Sequence, residues 1–138
     1  MAEKQKTLVS EAVFSGVGLH TGKQVTARVL PATADFGIKF KRIDIESQPV
    51  INAVAENVVD TSRGTVIGVK DASVSTIEHL LAAMCGLGID NALVEIDGPE
   101  VPIMQGSAKI FYEGLQKAGV TELDADKNYF EVREKISY

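Results

Sequence analysis

The chain has 138 residues, 45% of them apolar and 24% charged, the size and composition of one globular domain with a sizeable core. A net charge of −5 without clustered Lys and Arg excludes a nucleic-acid surface and a polybasic membrane patch. The single cysteine, Cys85, excludes an intrachain disulfide, no apolar stretch reaches a bilayer span, and Met1 to Thr7 lacks a signal-peptide core, so a cytoplasmic protein is expected.

Strands dominate the first half. Leu8 to Phe14 and Val25 to Leu30 read as strands flanking the glycine-rich segment Gly16 to Gly22, and Pro31 closes the second. Gly37 to Ile45 alternates with the period of a half-buried strand. Val50 to Val59 reads as another, ending irregularly at Asp60 to Gly64, and Thr65 to Val69 as a short one with Lys70-Asp71-Ala72 as its turn. From Thr76 the period changes: Ile77, Leu80, Leu81, Met84 and Cys85 form the stripe of an amphipathic helix, with Cys85 expected to be buried and Gly86 and Gly88 as the stop. Asn91 to Ile96 is a strand, and Gly98 to Pro102 a rigid bend. Ser107 is placed to cap a second helix burying Ile110, Phe111, Leu115 and Ala118, with Gly119 as its end. Thr121 to Asn128 reads as a polar linker, and Tyr129 to Ile136 as the start of a new strand. The class expected is α+β, a two-layer sandwich in which two helices pack on one face of a mostly antiparallel sheet.

Ser75-Thr76-Ile77-Glu78-His79 concentrates the chemistry. Ser75 and Glu78 have the spacing of a capping box, and pattern alone favours that role for Glu78. The alternative makes Glu78 a general base and His79 a metal ligand, since the positive end of a helix dipole disfavours a protonated imidazole and favours a carboxylate. The ligand count weighs against a complete site. Only His20, Cys85 and scattered carboxylates accompany His79, and no metal-binding spacing occurs. The Gly16–Gly22 loop reads first as a permissive strand connection and second as an anion-binding loop in which His20 adds a hydrogen bond. Asp60 to Gly64 reads first as a turn, with Arg63 as an alternative anion contact.

Taken in order, Gly16-Val17-Gly18-Leu19-His20-Thr21-Gly22, Asp60-Thr61, Ser75-Thr76-Ile77-Glu78-His79-Leu80, Gly86-Leu87-Gly88-Ile89-Asp90-Asn91 and Pro99-Glu100-Val101-Pro102-Ile103-Met104 resemble one family across essentially the whole chain. That family is the UDP-3-O-acyl-N-acetylglucosamine deacetylases, the zinc amidases of lipid A biosynthesis. The resemblance implies two α+β domains with the active site between their helical layers. It assigns the general base to Glu78 and a zinc-ligand role to His79, leaving the other ligands to a C-terminal domain. Leu19, His20 and Thr21 become candidate substrate contacts, and Arg63, the alternative anion contact read above, is counted with them although its Ser62-Arg63-Gly64 loop departs from bulkier family members. Residues 1–124 are then the N-terminal domain and 125–138 a linker and first strand leading to the second, so the chain by itself is expected to be inactive. Two departures stand out: Gln105 replaces a customary Asp, and Lys109 a common proline. The rival reading is a non-catalytic binding or self-association module in which Glu78 is only a helix cap and an uncovered helical face brings copies together.

Overall fold

The computed structural model describes residues 2–138. Five strands build the central sheet: β2 (Ala12–Val17), β3 (Gln24–Pro31), β4 (Ile38–Arg42), β5 (Val50–Asn52) and β9 (Ala92–Ile96), in the order β2-β3-β9-β4-β5. All neighbours are antiparallel except β4 and β9, and that parallel pair requires a long crossover. The crossover carries a small antiparallel sheet of β6 (Val58–Asp60), β7 (Val66–Val69) and β8 (Ala72–Ser75), followed by helix α1 (Glu78–Leu87). A second helix, α2 (Lys109–Ala118), follows β9. A two-stranded ribbon of β1 (Lys4–Leu8) and β10 (Val120–Asp126) completes the α+β architecture.

Period-2 alternation explains the layering. In β3, Val25, Ala27 and Val29 are buried while Gln24 and Arg28 face solvent, and β9 repeats the pattern with Ala92, Val94 and Ile96 inward. These side chains share one core with Leu80, Ala83 and Met84 of α1 and with Phe111 and Leu115 of α2, so both helices cover the same face of the sheet. The phenyl rings of Phe14 and Phe111 meet edge to face, with centroids 5.0 Å apart. Gly114 lets α2 approach that closely: a Cβ there would lie 2.5 Å from Phe14 Cε1. Gly114→Ala is therefore expected to destabilise the fold by about 1–3 kcal/mol. The measurement is the denaturant midpoint at constant slope, and an unchanged midpoint would show that the Phe14 ring yields without cost.

Several elements differ from the sequence expectation. The run Leu8 to Phe14 is two strands, because the chain leaves the ribbon after Leu8, where Val9 N–H bonds Gly119 O at 2.8 Å, and enters the central sheet at Ala12. Thr121 to Asn128 is mostly the strand β10 rather than a linker. Its acidic residues face the lysines of β1 in the pairs Lys4–Asp126 and Lys6–Glu122, a cross-strand complement invisible in either segment alone. Tyr129 to Ile136 forms no strand. Val50 to Val59 is broken by a 3₁₀ turn at Ala55–Asn57 into strands of two different sheets. Ala72, expected in a turn, opens the missed strand β8.

Both helices stop close to where expected. Gly88 adopts the left-handed conformation at the end of α1 and donates to Cys85 O and Met84 O, while Gly86 stays within the helix. Cys85 is exposed, contrary to expectation, because the buried stripe runs through Leu80, Ala83 and Met84 and leaves Cys85 on the outer face. At α2, Ser107 Oγ accepts the Lys109 N–H at 3.3 Å, so the expected residue serves the helix start although Ala108 occupies the boundary. Arg42, buried at the end of β4, ties the sheets together. It donates to Ser73 O at 2.8 Å and pairs with Asp44 at 2.7 Å, and that guanidinium bond holds the Asp44 carboxyl below its ordinary value.

Candidate functional site

Strand β8 delivers the site. Its last residue, Ser75, donates its N–H to Pro99 O at 2.9 Å and accepts Val101 N–H at 3.1 Å. Thr76 then turns the chain with φ of +57°, a left-handed conformation that is an outlier for a β-branched residue and costs about 1–3 kcal/mol. Its hydroxyl is buried without a hydrogen-bond partner among the described residues. Ile77, 2% exposed, anchors the turn in the core, and α1 begins at Glu78.

The capping box does not form. Glu78 is the first helical residue, Ile77 precedes it with no side-chain cap, and Ser75 Oγ donates to Pro99 O at 3.2 Å. The left-handed turn at Thr76 takes up the residues that the box would need inside the helix. Glu78 Oε2 instead accepts the Thr65 N–H at 2.8 Å, from the loop that leads into β7. Burial pushes this carboxyl up, but hydrogen bonds from the Thr65 and Glu78 amides and the Thr65 hydroxyl, with adjacent His79, pull harder, so it lies below the ordinary glutamate value. The group is held as a carboxylate while remaining partly open to solvent, the state a proton acceptor needs. Gly64 allows the loop to run against it, since a Cβ there would lie 3.2 Å from Glu78 Oε1.

His79 follows on the same helical turn. Its Nε2 lies 3.9 Å from Glu78 Oε1, beyond hydrogen-bond distance, and its side chain is about one-third exposed. The glycine-rich segment forms the hairpin loop between β2 and β3, closed by Gly22 N–H to Gly18 O and Gly18 N–H to Lys23 O, both at 2.9 Å. From it His20 Nε2–H donates to Arg63 O at 3.1 Å; a carbonyl only accepts, which fixes the proton on that nitrogen. The structure thus joins His20, the Arg63 backbone, Glu78 and His79 through two loops. Leu19 and Thr21 flank His20 and are exposed, and the Arg63 side chain is exposed without an ion pair among the described residues.

Sequence reasoning missed Glu100. It lies in the segment read as a bend, is 1% exposed, and accepts the backbone N–H groups of His20 and Thr21. An acid between Pro99 and Val101 in an apolar stretch was the available signal, because a buried carboxylate must be paired.

Among the described residues no three His, Cys, Asp or Glu side chains converge on a metal position. The donors fit one corner of a zinc site, an imidazole beside a carboxylate, and not a closed one.

Comparison with known proteins supplies the context. The sequence model of the family described as UDP-3-O-acyl N-acetylglycosamine deacetylase matches residues 5–138. A UDP-3-O-acyl-N-acetylglucosamine deacetylase of a Geobacter species is 53% identical over 133 residues, covering 96% of this chain and 44% of that protein. The protein of the same name from Cellvibrio japonicus is 47% identical over 134 residues, covering 97% of this chain and 44% of its own length. The Bifunctional enzyme LpxC/FabZ of Bacteroides thetaiotaomicron is 45% identical over 135 residues, 98% of this chain and 29% of that protein. The chain therefore spans less than half the length of these curated relatives.

Proposed function

The chain belongs to the UDP-3-O-acyl N-acetylglycosamine deacetylase family, and we propose that it supplies the general base and one metal ligand of a zinc-dependent amidohydrolase. The substrate is UDP-3-O-acyl-N-acetylglucosamine, whose acetyl group is removed in lipid A biosynthesis. The observation that carries this reading is the placement of Glu78: its carboxylate is held ionised by the Thr65 amide instead of capping its own helix, and it stands beside His79.

In this reading Glu78 Oε1, the oxygen not engaged by Thr65, accepts a proton as water attacks the acetamide carbon. The C–O bond forms, the proton held on Glu78 passes to the departing nitrogen as the C–N bond breaks, and acetate and the free amine leave. His79 would hold zinc through its ring, and the metal would supply Lewis-acid polarisation of the amide carbonyl. Leu19, His20, Thr21 and Arg63 would contact the nucleotide-linked sugar from the two loops. The residues up to Asp126, where β10 ends, act as an N-terminal domain, and those after it lead toward a C-terminal partner domain that completes the ligand set, consistent with the length of the relatives. Among the described residues no helix is long and apolar enough to cross a membrane, and a cytoplasmic setting suits a nucleotide-linked substrate.

The rival cap-only module loses its main support with the absent capping box. The test is acetate release. The 138-residue chain alone is expected to show no turnover, whereas a longer protein containing this sequence and a second domain turns over. Comparable rates for the two would overturn the division of the site.

A further inference from the structure

We propose that Glu100 is a positioning residue for substrate, acting through the backbone of Leu19-His20-Thr21; this rests on the deacetylase reading above. Both its oxygens accept the His20 N–H, at 2.7 and 3.1 Å, and Oε2 also accepts the Thr21 N–H at 3.3 Å. The side chain is 1% exposed and has no Lys, Arg or His ion-pair partner among the described residues. A buried carboxylate satisfied by backbone amides alone is a costly way to close a hairpin, since hairpins of this kind close on their own backbone hydrogen bonds. What the carboxylate adds is direction. It turns two successive N–H groups of the loop inward, and the His20 ring then reaches Arg63 O on the opposite loop.

Packing shows how tightly the loop is wrapped. A Cβ on Gly18 would lie 2.9 Å from Glu100 Oε1 and closer still to Thr21 Oγ1, so only glycine fits between them. The segment that bears Glu100 also fixes the catalytic turn. Pro99 O and the Val101 N–H bracket Ser75, three residues before Glu78, and Ile103 N–H bonds Val17 O at 2.9 Å at the base of the same loop. One stretch of backbone, residues 99–103, therefore sets the candidate substrate loop and the turn carrying Glu78 and His79 in a single frame. Glu100 is the only charged side chain in that stretch.

Glu100→Gln tests this, made both in the present chain and in a longer protein that contains it. Glutamine keeps the size and one carbonyl acceptor, but it removes the charge and puts an NH₂ where the second oxygen met the loop amides. Amide hydrogen exchange at His20 and Thr21 is expected to accelerate about tenfold or more, and KM to rise about tenfold with kcat within about twofold, the scale of one lost charge-assisted hydrogen bond. Gly18→Ala, which leaves Glu100 intact but crowds the loop, should give the same KM-selective loss, and it decides the matter if the glutamine variant does not fold. Faster exchange with unchanged KM would reduce Glu100 to a structural residue, and unchanged exchange would remove its hold on the loop; either overturns the proposal. Absence of acetate release by the wild-type longer protein would instead remove the deacetylase reading and the substrate role with it, while the exchange rates would still report whether Glu100 holds the loop.

Discussion

Glu78→Gln, made in a longer protein containing this sequence, is expected to lower kcat by about 10²- to 10⁴-fold while leaving unfolding within about 0.5 kcal/mol of wild type. Both halves of that result come from the geometry. Glutamine can still accept the Thr65 N–H through its carbonyl oxygen, so the hydrogen bond that ties the Glu78 side chain to the neighbouring loop survives. The helix start loses only the modest attraction between a carboxylate and the dipole at its first residue, because no side chain caps it. The larger loss is proton-accepting capacity. A variant that retained activity would return Glu78 to a structural role, and one that lost stability with activity would point to the Thr65 bond as the dominant contribution.

Phe111→Ala is expected to cost about 3–5 kcal/mol, a large share of the roughly 5–15 kcal/mol that holds a domain of this size together. Phe111 is fully buried, its ring meets Phe14 edge to face, and Gly114 one turn later has given up its side chain to permit that contact. The cavity would open where α2 meets β2, at an interface that cannot close because the neighbouring backbone already touches the Phe14 ring. Because α2 also packs on α1, the helix that begins at Glu78 loses support as well. Thermal unfolding measures the effect, and a fall in Tm of less than a few degrees would mean that the core refills the space.

The elements legible in the sequence were those whose signal is local. β3 and β9 alternate strictly, and Gly88 marks the end of α1 by the left-handed conformation it supplies. The ribbon of β1 and β10 was illegible because its stabilising pairs, such as Lys4 with Asp126, join positions more than a hundred residues apart, and each strand alone reads as a polar terminus. The strand β8 is four residues long and its period was hidden by the preceding turn. At the site, the order of motifs named the family and singled out Glu78 and His79. What pattern could not supply was the left-handed Thr76, which moves Glu78 out of its capping position, and the long-range bonds from Thr65 to Glu78 and from His20 and Thr21 to Glu100. Hydrogen bonds between distant backbone and side-chain groups leave no periodic trace.

Zinc titration of the 138-residue chain bears most directly on the division of the metal site. The donors brought together among the described residues are one imidazole and one neighbouring carboxylate, short of the three or so protein ligands that a catalytic zinc requires. The chain is therefore expected to bind zinc weakly and to lose that binding in His79→Ala, while a longer protein containing the sequence retains one zinc through dialysis. Tight stoichiometric binding by the 138-residue chain that survives His79→Ala would contradict both the assignment of His79 and the claim that this chain holds only part of the site.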